Sequence, residues 1–152
     1  MKQLMFRVKA IHADTIYIGL SPERYTSYHD KPMYEVRIQK TMELFDKSKS
    51  GSRLAVTNKC QKSNWNDFCI PDGNFETFWL WWANDRIRLG YGFTVGINEY
   101  LNQYVGAIKY HINYISLAGG TQRDVHWRIF DGKCKNITQI SLGEVCIYTQ
   151  WT

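Results

Sequence analysis

The sequence predicts an all-β protein, an antiparallel β-sandwich or jelly roll of about ten short strands. Apolar and polar residues alternate over many short runs, and this period of two is typical of half-buried strands. Aromatic residues, which favour strands, make up 15% of the chain. No window keeps a helical period over three turns, and residues 41–47, which include Leu44 and Phe45, allow one turn of helix at most.

The predicted strands follow one another with turn-forming residues between them. Residues 4–10 show the alternation most clearly, because Leu4, Phe6, Val8 and Ala10 share one face. The further predicted strands are 15–20, 33–38, 53–57, 75–83, 86–90, 104–110, 113–117, 125–130, and 140–142 paired with 145–148. The predicted connections are loops at 21–32 and 58–74 and turns at 47–52, 84–85 and 119–120.

The length of 152 residues suits a single domain that covers 1–152. A chain of this size buries roughly 68–70% of its unfolded surface, which is enough for a real core. The formal net charge is +5, but the basic residues are scattered. A diffuse charge of this kind is typical of a solvated face, so no nucleic-acid partner is expected. No run of apolar residues is long enough for a membrane span, so none is expected.

Four cysteines occur in two sequence-local pairs, Cys60 with Cys69 and Cys134 with Cys146. Four cysteines allow three connectivities, and the local one needs the least loop closure. The prediction is therefore two local disulfides, with four free thiols as the alternative. The spacing argues against zinc, because zinc sites usually contain cysteines two to four residues apart.

An acceptor pattern for N-glycosylation begins at Asn136, between the second pair of cysteines. Together with the predicted disulfides it indicates a secreted or extracellular glycoprotein. The first seven residues turn polar too early for a signal peptide, so this location is predicted from the cysteines and the acceptor pattern alone.

No catalytic set stands out in the sequence. The histidines share no metal-ligand spacing, and no Gly-x-Ser-x-Gly segment occurs. Residues 90–96 are rich in glycine but follow an antiparallel-looking strand, which predicts bulge glycines at a hairpin exit. We therefore expect no catalytic residue, no metal and no cofactor.

An aromatic run marks residues 78–82. Alternation places Phe78, Leu80 and Trp82 on one face and puts Trp79 and Trp81 on the other. Since both faces are apolar, a central strand is expected. The second face is then either covered by another segment or open as an aromatic platform.

The predicted ligand site is Trp65 with its polar neighbours Asn64, Asn66 and Asp67, inside the 58–74 loop. An aromatic ring beside amides and a carboxylate offers the stacking and hydrogen bonds that a sugar or peptide requires. The alternative is a tryptophan tucked under its own loop. Arg53 is a further candidate, either paired with Glu35 across strands or free to bind an anion.

Several segments share their order and spacing with a known family. They are 6–10 with 13–20, 34–38, 52–54, 75–82 with 86–90, 104–106 and 127–130. In this order they resemble the opening hairpin, the Y-E-I-x-I and F-W-I-x-W strands and the closing strands of the farnesoic acid O-methyltransferase domain. The resemblance covers about residues 4–130, and the Cys60–Cys69 loop and the tail 131–152 lie outside it. It implies a β-rich invertebrate module found beside other extracellular modules, and the family name implies methyl transfer to a terpenoid carboxylate.

The residues favour binding over methyl transfer. A methyl donor is usually held by a strand, a glycine-rich turn and a helix, and no such unit is predicted here. The predicted function is a non-catalytic, lectin-like extracellular recognition module for a carbohydrate, lipid or protein ligand. The alternatives are a structural or assembly module of a larger extracellular protein, with its other domains as partners, and a methyltransferase acting on a terpenoid carboxylic acid.

Overall fold

The computed structural model describes residues 2–10, 15–23, 32–48, 52–57, 60, 69–70, 73–106, 112–119, 125–130 and 146–149. Within these ranges the chain forms eleven β-strands and no helix, as predicted. The strands are β1 (Gln3–Ala10), β2 (Ile16–Ser21), β3 (Tyr34–Ile38), β4 (Met42–Asp46), β5 (Ser52–Thr57), β6 (Glu76–Ala83), β7 (Arg86–Tyr91), β8 (Glu99–Tyr104), β9 (Tyr114–Gly119), β10 (Val125–Phe130) and β11 (Cys146–Thr149).

Two antiparallel sheets make up a sandwich. The five-stranded sheet has the order β10-β1-β6-β7-β8, and the six-stranded sheet has the order β11-β9-β2-β3-β4-β5. Both sheets therefore bring strands from the two ends of the chain together. The tail, which lies outside the family resemblance, contributes β11 to the second sheet through pairs such as Cys146 with Leu117.

The alternation read from the sequence places one face of each sheet in a shared core. In β1 the side chains that alternate inward are buried, and those between them are half-buried. The same holds in β2, where Ile16, Ile18 and Leu20 are buried. The largest fully buried side chains include Trp79, Trp82, Trp127, Tyr34, Phe6 and Phe78.

The turn predicted at Asn84 and Asp85 is confirmed. Their φ angles are 49° and 58°, which are left-handed values at both central positions of a two-residue loop. A loop of this kind follows the twist of the flanking strands, and asparagine and aspartate adopt it more readily than most residues. It fixes the register of β6 against β7, with Ala83 opposite Arg86.

Two predicted elements are wrong. Residues 42–46 were expected to allow at most a turn of helix, but they form β4, which pairs with β3 and β5. Glu, Leu and Met rank among the better helix formers, but intrinsic propensity is a weak preference. Backbone hydrogen bonds to strands on both sides override it here. The strand expected at 104–110 does not begin as predicted. β8 covers Glu99–Tyr104 and ends at the position where the predicted strand was to start, and Gly106 follows with a φ of 71°. Residues 107–110 of the predicted strand lie outside the described part of the chain.

The predicted disulfide between Cys60 and Cys69 is present, with Cα atoms 5.3 Å apart and both residues buried. The two cysteines are nine positions apart, so the bond closes a short loop. The loop residues 61–68 lie outside the described part of the chain. Cys134 and the side chain of Cys146 also lie outside it, so the second disulfide stays a prediction.

Replacing both Cys60 and Cys69 with alanine is expected to lower the free energy of unfolding by about 2–3 kcal/mol. The chain-entropy model assigns this value to a loop of about ten residues, because the crosslink restricts the unfolded chain. Urea denaturation under non-reducing conditions measures the change. The single variant Cys60→Ala should lose about as much stability, because the bond needs both sulfur atoms and the loss of one prevents it. Unchanged stability in both variants would contradict the prediction.

Candidate functional site

A cleft opens along one side of the sandwich, between the edge strands β5 and β8. It has a volume of about 340 Å³ and is lined by Ala55, Val56, Thr57, Glu99, Tyr100, Leu101, Asn102 and Gln103. Each of the two strands is the last of its sheet. An edge strand leaves a row of backbone N–H and C=O groups without a ladder partner, so the cleft is flanked by backbone polar groups as well as side chains.

The register of β8 decides which side chains reach the cleft. Leu101 lies opposite Leu89, and both are buried in the core. Asn102 lies opposite Arg88 and points to the other face. Tyr100 is half-buried and packs against the core, so its ring forms part of the floor of the cleft.

A hydrogen-bonded network joins two residues of the cleft lining, Glu99 and Asn102, to two arginines of β7. Arg88 Nε donates to Glu99 Oε2 at 2.6 Å, and Asn102 Nδ2 donates to Glu99 Oε1 at 2.7 Å. Arg86 Nη1 donates to Asn102 Oδ1 at 3.0 Å. Arg88 and Glu99 form an ion pair, so Arg86 leaves the network with one positive charge in excess. Side chains held in this way are oriented before a ligand arrives.

Gln103 is bound less tightly. Its Nε2 donates to the backbone carbonyl of Tyr104 at 2.8 Å, a neighbour in the chain. The side chain is half-buried, and this bond lies within β8. It is therefore the lining residue whose amide is freest to bind a ligand without loss of a cross-strand bond.

The second face of the aromatic strand is covered at its centre. Trp79 is fully buried there, and its Nε1 donates to the carbonyl of Ile97 at 2.9 Å. Ile97 belongs to the connection between β7 and β8. Trp81, farther along the same face, is half-buried beneath Arg88, whose Cζ lies 5.1 Å from the ring. The open aromatic platform, one of the two alternatives from the sequence, is not formed at these rings.

The glycine-rich segment 90–96 belongs to this covering connection, as the bulge interpretation predicts. The register of β7 against β8 shifts between Leu89 and Gly90. Gly92 and Gly96 have φ angles of 98° and 90°, which other residues adopt only at a cost. The glycines thus shape a hairpin exit that folds back over Trp79.

Arg53 does not pair with Glu35. Its Nη1 lies 3.2 Å from Glu43 Oε1, while Glu35 accepts a hydrogen bond of 2.5 Å from Arg37. The sheet order explains the difference, because β4 separates β3, which carries Glu35, from β5. The Arg53 side chain is 54% exposed. Because the carboxylate of Glu43 already neutralises its charge, Arg53 is a weaker candidate for anion binding than an arginine that has no acidic neighbour.

The loop site predicted at Asn64, Trp65, Asn66 and Asp67 lies outside the described residues, as does Asn136. Sequence reasoning missed the cleft because it placed the strand after 104 instead of at 99–104. The signal that could have found it is Leu101, an isolated apolar residue between polar neighbours, which marks one inward position on an edge strand.

The described ranges contain no group of three or more His, Cys, Asp or Glu residues placed to hold a metal ion. They also contain no helix long and apolar enough to cross a membrane.

No family model, no curated protein and no solved structure matches this chain.

Proposed function

We propose that this chain is a non-catalytic recognition module that binds a carbohydrate in the cleft between β5 and β8. The observation that carries the proposal is a cavity of about 340 Å³ whose lining combines an aromatic ring with amide, carboxylate and hydroxyl groups. Sites for small ligands usually measure roughly 300–1,000 Å³. The cleft is therefore of a size for a small ligand.

The lining chemistry favours a sugar over an apolar ligand. Tyr100 supplies an aromatic surface, and Gln103 and Thr57 supply donors and acceptors. A lipid chain forms no hydrogen bonds with such groups, and covering polar groups without replacing their contacts with water costs free energy. Since the carboxylate of Glu99 is paired with Arg88, it does not favour a cationic ligand, and a neutral sugar is the ligand that we propose.

The same contacts support binding over catalysis. General acid–base work requires a group that is free to exchange a proton with the substrate. Glu99 accepts hydrogen bonds at both carboxylate oxygens, from Arg88 and Asn102. Both of its carboxylate oxygens are therefore occupied, and the side chain orients its neighbours.

The disulfide between Cys60 and Cys69 supports an extracellular location for this module. Disulfides form and persist in oxidising compartments and are rare in the cytosol. We infer that the protein meets its ligand outside the cell, where glycans are exposed on surfaces and secreted chains.

The test is an array of neutral glycans probed with the wild-type chain and with Gln103→Ala. Loss of one side-chain hydrogen bond is expected to weaken binding about 3- to 10-fold. Gln3→Ala is the matched control, because it removes an exposed glutamine on β1, away from the cleft, and should bind as the wild type does. An array with no wild-type binder, or a Gln103→Ala variant of unchanged affinity, would contradict the proposal.

A further inference from the structure

A second surface lies on the outer face of the five-stranded sheet, around the ring of Phe75. Three cations surround this ring: Lys9 Nζ lies 4.9 Å, Arg7 Cζ 5.5 Å and Arg128 Cζ 4.3 Å from its centroid. We call these four residues the Phe75 cluster. Contact with an aromatic face stabilises each cation, but it does not neutralise the charge.

The strand register brings these like charges together. Arg7 on β1 lies directly opposite Arg128 on β10, and Lys9 lies opposite His126. Like charges directly opposite one another across two strands destabilise a sheet. The arrangement therefore has a cost in the absence of a ligand, and an anion placed between the two strands would remove it.

The ion pairs that the structure shows among the described residues lie away from the Phe75 cluster. Within the ranges that the structure covers, ion pairs join Arg37 to Glu35, Arg53 to Glu43 and Arg88 to Glu99. Glu76 follows Phe75 in the chain, but it lies opposite Val8, a core residue, and so alternates to the other face.

One polar atom of the cluster is both buried and unpaired. Arg7 Nε has no hydrogen-bond partner among the described residues, although water does not reach it. A buried donor without a partner costs free energy and is rare in native structures. Because water does not reach Nε, a bound oxyanion would meet Arg7 at its terminal Nη groups.

We propose that the Phe75 cluster binds a single tetrahedral oxyanion group, a sulfate or phosphate ester on a small ligand. Guanidinium groups match such oxyanions because their planar fork donates two parallel hydrogen bonds, and this cluster provides two of them. Three cations around one ring make a compact site, whereas a nucleic-acid strand requires a longer basic track. Arg7, Lys9 and Phe75 are half-buried, which also favours a small group over a flat membrane surface.

Calorimetric titration with sodium sulfate, glucose 6-sulfate and glucose 6-phosphate tests the site and separates the two possible esters. Arg128→Gln is expected to weaken binding about tenfold or more, because a hydrogen bond to a charged group is lost. Arg128 is exposed, so the variant should fold. Arg128→Lys, which keeps the charge but not the fork, should fall between the wild type and Arg128→Gln.

Lys2→Gln is the matched control. It also removes one cation, but Lys2 is exposed and directly precedes β1, five residues before Arg7. The five-residue offset corresponds to about 16 Å at roughly 3.3 Å per residue. Lys2→Gln should bind all three anions as the wild type does.

Thermal unfolding gives an independent readout. Without an anion, Arg128→Gln should unfold at a temperature equal to or above that of the wild type, because a like-charge pair is removed. Adding the tightest-binding ester should raise the wild-type temperature more than that of the variant. The proposal is overturned if none of the three anions binds, or if Lys2→Gln weakens binding as much as Arg128→Gln.

Discussion

Replacing Trp127 with alanine is expected to lower the free energy of unfolding by about 3–5 kcal/mol, the usual cost of emptying a buried tryptophan site. Trp127 is fully buried on the inner face of β10, and its ring lies 5.7 Å from that of Phe6. Both rings belong to the core between the sheets, so the vacated volume would lie where neighbours can collapse least. Urea denaturation measures the loss.

The phenylalanine variants sharpen this test. Trp127 Nε1 is buried and has no hydrogen-bond partner in the described part of the chain, whereas Trp79 Nε1 donates to the carbonyl of Ile97. Trp127→Phe therefore removes a donor that has no partner. Trp79→Phe instead removes the hydrogen bond to Ile97 and leaves the Ile97 carbonyl without this donor. Trp127→Phe should cost about 1–3 kcal/mol less than Trp79→Phe. Equal losses, or a larger loss at Trp127, would show that Nε1 has a partner.

Gly90→Ala is expected to lower the free energy of unfolding by about 3 kcal/mol, near the upper end for overpacking. A Cβ at Gly90 would lie 2.2 Å from Cε2 of Trp79, far inside van der Waals contact. The indole cannot easily move away, because it is fully buried and hydrogen-bonded to Ile97. Close approach of the ring to the backbone is thus the physical reason for glycine at this position.

A double-mutant cycle isolates that reason. In a Trp79→Ala background the ring is gone, so adding Gly90→Ala should cost less than about 1 kcal/mol. Gly92→Ala serves as the comparison, since a Cβ there meets no atom within 4 Å and only the φ of 98° opposes it. If Gly90→Ala costs as much without Trp79 as with it, the contact with the ring is not the cause.

Much of the sandwich follows from local alternation. The inward faces of β1, β2 and β6 can be read directly from their sequences, because a side-chain period of two is fixed by the extended backbone. The turn at Asn84 and Asp85 can also be read, since few residues adopt left-handed φ values in succession. These features depend on residues that are neighbours in the chain.

The features that could not be predicted depend on distant partners. β4 is a strand because β3 and β5 lie beside it, and β8 is polar because it forms an edge. The carboxylate that meets Arg53 is set by the order of strands in the sheet, not by sequence spacing. The cleft joins strands of two different sheets, and the Phe75 cluster joins β1 to β10, so neither leaves a contiguous pattern in the sequence.

The strand order has a consequence for how the chain reaches this fold. β1 lies between β6 and β10, and β2 lies between β3 and β9. Each of these N-terminal strands therefore pairs on one side with a strand from the C-terminal part of the chain, which is synthesised later. Such non-local pairing slows folding to milliseconds or longer, because loop entropy is lost before the contacts form. During synthesis, β1 and β2 therefore stay unpaired on one side until residues 114–130 emerge, and for that period their free edges are open to any other extended chain.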